Sequence, residues 1–431
     1  MNKGHERELP TPSWCARASW SRPETWLALC VALLALSSAW NFGARWPGID
    51  FYQFWLVGRT LGQQPAENVY APETRARIGE QGFQEALRAA GPDAAKNPPL
   101  QLQVAQYRRQ LETFSTPLLY GTFGTLASGD YLRDKNNWQH ASVLLHALAI
   151  LLAAAAFGLS LPAALLMLGV CGLWFEPFAA DVGNANVNAL LFATLAGALF
   201  ALVRGRLLVA GLVLGLGIAF KPTLALAPLP LLLAFACARD WKPLARNVLG
   251  LCAGGGIGVL LGALTGGGFG AWLHWLAELP KLMREGAAYD DNFALARWLS
   301  DHLGIALGPG LLLLVLAPCA LVAWRTRGAA PDARTCAAWL ATGALFALLT
   351  PGLVWIHYYE LAIPALLCLC ASARPPSLCA AALGALALSA QLPAQWLGLA
   401  GTKQQASLVL AGALLVFGFL LARLNAAAAR A

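Results

Sequence analysis

Charge is what this chain has least of. Asp, Glu, Lys and Arg make up 12% of its 431 residues, against roughly 25% in a soluble domain, which excludes an ordinary water-soluble fold. Several chemical signatures are missing as well. There is no Gly-x-x-x-x-Gly-Lys-Ser/Thr loop, no His-Glu-x-x-His, no Cys-x-x-Cys and no Gly-x-Ser-x-Gly, so nucleotide hydrolysis, zinc proteolysis and serine esterase chemistry lack their usual residues. No internal repeat is visible, which weighs against a transporter assembled from duplicated halves. The ten cysteines lie mostly within apolar stretches, and the long polar loop has none. They read as packing residues, so neither a disulfide framework nor a metal site is expected, and no cofactor.

What fills the chain instead is apolar: 58% of residues are hydrophobic and the mean hydropathy is +0.57. Runs long enough to cross a hydrocarbon core of ~30 Å recur near residues 26–43, 138–158, 161–180, 186–203, 207–222, 224–238, 247–268, 303–324, 335–350, 355–372, 377–398 and 405–423. In lipid the backbone must satisfy its own hydrogen bonds, so these runs are helices. The expectation is an all-α integral membrane bundle of about 12 transmembrane helices. The net charge of +8 suggests no nucleic-acid partner, because the basic residues cluster between spans. Lys3, Arg7, Arg17 and Arg22, then Arg204 and Arg206, Arg239, Lys242 and Arg246, Arg325, Arg327 and Arg334, Arg374, and finally Arg423 and Arg430 all fall on one side if both termini are cytoplasmic. That gives a cytoplasmic segment 1–25, one membrane domain 26–423 and a cytoplasmic tail 424–431.

Two long loops fall on the opposite, exoplasmic face. The first, about 45–137, carries seven acids from Asp50 to Glu112 and seven bases from Arg59 to Arg109. Helical spacing appears at Glu80–Ala90 and Gln101–Glu112, and Phe114–Ala127 reads as an interfacial or re-entrant piece. The second, about 269–301, holds Trp272, Trp275 and Trp298, suited to an interfacial belt. Chemistry-bearing residues gather on this face, each with two readings. Asp50, with Gln53 three residues on, is a helix cap or a base. Lys221 is a snorkelling ammonium or a phosphate contact. Asn184, Asn186 and Asn188 cap a helix or bind sugar hydroxyls. His357 is an interfacial histidine or a site residue. His146 reads as packed or paired, and Asp290-Asp291-Asn292 as a solvated loop. The same face would serve a transferase, a flippase for lipid-linked saccharides, or a scaffold, although a scaffold needs no such clustering.

Asp50-Phe51-Tyr52, Asn68-Val69-Tyr70, Gly183-Asn184-Ala185-Asn186, Phe220-Lys221-Pro222 and Trp355-Ile356-His357-Tyr358, in this order over residues 30–370, resemble glycosyltransferase family 87. These are the bacterial polyprenyl-phosphate-mannose-dependent mannosyltransferases of the GT-C superfamily. The chain departs from the family at Asn184, where glutamine is usual, and at Thr116, where a tyrosine usually precedes the proline. The resemblance implies a GT-C-type bundle with a large first periplasmic loop in a bacterial inner membrane, its site facing the periplasm. It implies inverting transfer of a hexose from a polyprenyl-phosphate donor to a lipid or glycan acceptor. Asp50 would be the general base, Lys221 would stabilise the departing phosphate with His357 beside it, and Asn184 and Asn186 would orient the donor. Tyr52, Arg59 and Asn292 would complete the cleft wall.

Overall fold

The computed structural model describes residues 22–64, 67–91, 98–328, 330–397 and 401–428. Most of the expected cytoplasmic segment 1–25, with Lys3, Arg7, Cys15 and Arg17, lies outside the described residues, as does Arg430. Among the described residues every regular element is helical, in chain order α1 Pro23–Arg45, α2 Ile49–Gln63, α3 Pro72–Ala90, α4 Leu100–Tyr107, α5 Pro117–Leu126, α6 Tyr131–Ala156, α7 Leu161–Trp174, α8 Glu176–Asn184, α9 Asn188–Val203 and α10 Leu207–Phe220. There follow α11 Leu229–Cys237, α12 Trp241–Thr265, α13 Gly268–Ala287, α14 Leu295–Leu303, α15 Gly310–Arg325, α16 Ala333–Leu349, α17 Ile363–Cys370, α18 Pro375–Leu388, α19 Gln391–Trp396 and α20 Thr402–Ala428. Short 3-10 turns occupy Pro222–Leu224 and Ile356–Ala362. Starts follow local chemistry. Proline stands in the first turn of α1, α3, α5, α7, α8 and α18, where its missing N–H costs nothing. Asp130 and Asp332 accept from Arg133 and Thr335 N–H groups to cap α6 and α16.

This is an all-helical membrane protein. Among the described residues four helices, α1, α6, α12 and α20, are long and apolar enough to cross a bilayer, and α7–α8, bent by 64°, is a broken span or a re-entrant loop. The other apolar helices are 10–17 residues long, so helix length counts fewer crossings than the twelve expected from hydropathy. The reason is local: a 14-residue helix such as α10 spans only ~21 Å. It stops at Lys221-Pro222 because the chain there turns to line a cavity, the one setting in which non-helical backbone is tolerated at membrane depth.

Exposed tryptophans sit at helix ends: Trp26 and Trp46 around α1, Trp174 on α7, Trp241 on α12, Trp324 on α15 and Trp396 on α19. These, rather than Trp272, Trp275 and Trp298, fit an interfacial belt. Trp272 and Trp275 are buried and donate inward, to the carbonyls of Val259 and Phe114. Trp298 donates to Ser407 Oγ.

Two contacts set the site's position. α10 and α12 pack backbone to backbone, because Gly211 and Gly215 face Gly250 and Gly254. A Cβ at Gly211 would strike the Asn247 carbonyl, and one at Gly254 the Leu212 carbonyl. Small residues at a four-residue period are how lipid-embedded helices approach closely. The second is where α2 crosses α5, Gly58 meeting Gly124. The expected first loop is therefore a folded helical layer. The spacing-based helix at residues 101–112 is confined to α4, and α2, which reads as loop in the sequence, is a helix.

Candidate active site

Asp50 lies in the first turn of α2. The turn before it is clamped: Gly48 takes φ 67°, a left-handed value suited to glycine, and its N–H donates to the Gly183 carbonyl. Tyr131 donates its hydroxyl to the Pro47 carbonyl at 2.5 Å. The Lys135 ammonium donates to the Ala44 and Trp46 carbonyls at 3.2 and 2.8 Å, satisfying the end of α1. Gly48, not Asp50, is the N-cap, and it supplies no side-chain bond. Gln53 spends its carbonyl on the Glu112 N–H. The capping-box reading of Asp50 and Gln53 is thus not what the chain builds, and the Asp50 carboxylate is free to face the cavity.

That carboxylate, 7% exposed, accepts two charged or polar donors. Arg108 Nη2 reaches Oδ1 at 2.8 Å, and Asn186 Nδ2 reaches Oδ2 at 2.6 Å. Arg108 holds Glu112 with its other terminal nitrogen at 2.8 Å and the Ile49 carbonyl with Nε at 3.2 Å. Its charge is fully spent between two acids. Burial raises the Glu112 carboxyl despite Arg108 beside it. Burial and Glu112 together push the Tyr289 phenol up to about 12, and partial desolvation raises the Asp291 carboxyl. Arg108, Glu112, Tyr289 and Asp291 form the polar rim of the site on the outer layer.

Asn186 is the hub. Ala185 before it takes φ 49° as α8 ends, turning residue 186 inward, where its N–H donates to the Asp181 carbonyl. Its Oδ1 accepts from Lys221 Nζ at 2.8 Å and from the Val187 N–H. Its NH2 therefore faces Asp50 and His357 Nε2, the latter at 3.1 Å. Nε2 is an acceptor in that contact, and the Asn184 Nδ2 lies 3.5 Å from the other ring nitrogen, Nδ1. His357 Nε2 is also 3.9 Å from Asp50 Oδ2. Lys221 follows the last turn of α10, fixed because Thr116 donates its hydroxyl to the Phe220 carbonyl at 2.7 Å. Its ammonium lies 4.6 Å over the Tyr358 ring. Among the described ion pairs none involves Lys221, and its ammonium lines the cavity.

The cavity has a volume of about 500 Å³. Its polar wall is Asp50, Gln53, Arg108, Glu112, Asn184, Asn186, Lys221, Tyr289, Asp291 and His357, and its apolar wall includes Leu226, Leu279, Met283, Phe293, Leu353, Val354 and Ile356. The structure thus brings together Asp50, Lys221, His357, Asn184 and Asn186. Tyr52, Arg59 and Asn292 are not in its lining. Tyr52 is 1% exposed and packs on Trp55 and Tyr131. Arg59 stacks on Trp55 and pairs with Glu85. Asn292 donates to the carbonyls of Ala287 and Gly352 and accepts from the N–H groups of Ala294 and Val354, so both ends of its amide staple the loop. Sequence reasoning missed Arg108, Glu112, Tyr289 and Tyr358. The Arg108–Glu112 spacing of four on a helical segment was the available signal.

The sequence model of glycosyltransferase family 87 matches residues 130–351. No curated protein and no solved structure matches the chain. Asn184, Asn186 and Lys221 fall inside the matched span, while Asp50, Arg108 and His357 fall outside it.

Proposed function

The chain belongs to glycosyltransferase family 87 and is a membrane glycosyltransferase; from that premise we propose that it transfers a hexose, mannose by its resemblance, from a polyprenyl-phosphate-sugar to a hydroxyl of a lipid or glycan acceptor. One observation carries the reading. A carboxylate and an ammonium are held on the same wall by a single amide, Asn186, in a cavity whose other wall is apolar. The apolar wall suits the first isoprene units of a prenyl chain, and the polar wall suits a sugar phosphate.

In the proposed reaction Asp50 accepts the proton of the acceptor hydroxyl as its oxygen attacks the anomeric carbon. The bond from that carbon to the phosphate oxygen breaks on the opposite face, so the configuration inverts. The electron pair leaves with the phosphate, and Lys221 stabilises the added charge. Phosphate leaves without a general acid. Arg108 keeps Asp50 oriented by a charge-assisted bond. Asn186 positions base and ammonium relative to each other rather than spending its amide on sugar, while Asn184 and His357 remain open toward the donor. The polar rim takes the acceptor. In this reading the site faces the periplasm of a bacterial inner membrane, and both termini are cytoplasmic.

The test gives purified protein in lipid nanodiscs a polyprenyl-phosphate-[14C]mannose and a membrane lipid extract as acceptor source. Label moved to a new lipid or released as inverted product is expected. Movement of intact donor across proteoliposomes without any bond cleavage would replace the reading with a flippase.

A further inference from the structure

Behind the reacting groups lies a second cluster that the proposed reaction does not use. His146 on α6, Asp181 on α8 and Glu360 in the 3-10 turn at Ile356–Ala362 are each 0% exposed. One ligand-type atom from each lies within 4.8 Å of the others. His146 Nε2 is 2.7 Å from Glu360 Oε2 and 3.6 Å from Asp181 Oδ2. We propose that these three side chains bind a divalent transition-metal ion of the Zn2+ class, a centre distinct from the transfer site.

Three observations support it. The first is charge. Two carboxylates and one imidazole lie together fully buried, and a single proton in the His146–Glu360 contact neutralises only one of the two acids. An uncompensated buried carboxylate is costly, whereas one divalent ion balances both. The second is orientation. His146 Nδ1 lies 2.8 Å from the Ser142 carbonyl, so its proton is directed there and Nε2 is left as the donor atom, the usual arrangement of a metal-bound histidine. The third is unmet demand. Asp181 Oδ1 and Glu360 Oε1 are buried without a hydrogen-bond partner, as is the whole amide of Asn188. Asn188 adjoins Ala189, whose N–H donates to Asp181 Oδ2.

The ligand set is nitrogen and carboxylate oxygen, which suits Zn2+ or Mn2+ rather than soft Cu+. With bonds of ~2.0–2.2 Å, the 3.6 Å His146–Asp181 separation already fits two ligands on one ion, and the shorter Glu360 contact opens slightly as its proton is displaced. Because no ligand is exposed, the ion enters as the chain folds and leaves only as it unfolds. Its place in the fold gives it a job. The Asp181 carbonyl accepts the Asn186 N–H, and Glu360 follows His357 by one short turn. The ion therefore braces the two segments that carry Asn186 and His357 into the transfer site. The proposal departs from the expectation of no metal site, because the three ligands come from three separate segments.

The experiment is metal analysis of full-length protein purified in detergent, by mass spectrometry after acid digestion, from cells grown with Zn2+ or with Co2+. About one metal per chain is expected, and Co2+ protein should show ligand-field bands without a thiolate charge-transfer band. His146→Gln and Glu360→Gln should each lower the content at least ~10-fold. A metal-free wild-type protein overturns the proposal. So does a thiolate band, which would place the metal on cysteines, or full metal content in both variants. None of these readouts depends on donor or acceptor, so the transferase reading stands or falls separately.

Discussion

Replacing Asp50 by Asn removes a proton acceptor while keeping the side chain's shape. A positioned general base contributes ~10²–10⁴-fold, or about 3–5 kcal/mol of barrier at ~1.4 kcal/mol per decade. The geometry puts the loss near the top of that range. Both carboxylate oxygens face donors, Arg108 at 2.8 Å and Asn186 at 2.6 Å. Whichever way an amide turns, its NH2 meets one of them, so the residue loses position as well as basicity. Breaking a buried ion pair costs ~3–5 kcal/mol of stability when the remaining charge is stranded. Arg108 keeps Glu112 at 2.8 Å, so the cost here falls below that range and the variant folds. The assay is single-turnover transfer from labelled polyprenyl-phosphate-hexose in nanodiscs, with melting and size exclusion run alongside. A fall in kcat of ~10⁴-fold is expected, with donor KM changed less than ~3-fold because the ammonium is untouched. A folded variant whose kcat stays within ~10-fold of wild type would refute the base assignment.

Lys221→Met keeps the length of the side chain and removes its charge. At an effective dielectric near 20, a cation ~4 Å from a phosphate is worth ~4 kcal/mol, so kcat/KM for the donor should fall ~10²–10³-fold, and unchanged donor kinetics would count against phosphate contact. Gly254→Leu drives a side chain into the Leu212 carbonyl, whereas nothing lies within 4 Å of a Cβ on Gly256. The first should cost ~3 kcal/mol or more and Gly256→Ala almost nothing, read as detergent melting temperatures; equal melting would show that α10 and α12 do not meet through their backbones.

The helices were legible because apolar runs of this length have few alternatives in lipid. The face shared by Asp50, Lys221, His357 and the asparagines was legible from the alternation of basic clusters. Two things were not. α2 is buried at every position from Asp50 to Gly58, covered on all sides, so it shows no amphipathic period and reads as loop. Arg108 is one of seven bases in a nearly neutral segment, and only its docking against Ile49 and Asp50 distinguishes it. The tryptophans of α13 misled for a related reason: an indole suits an interface or a packed core equally well, and neighbours far away in sequence decide. The His146–Asp181–Glu360 cluster depends wholly on tertiary contact.

The amide of Asn186 joins two parts of the protein. Lys221 and the asparagines lie within the span that the family model matches, whereas Asp50 and Arg108 belong to an outer helical layer that precedes it. An amide bonded to both side chains fixes the gap between them, so a shift of the layer that bears Asp50 is transmitted to Lys221.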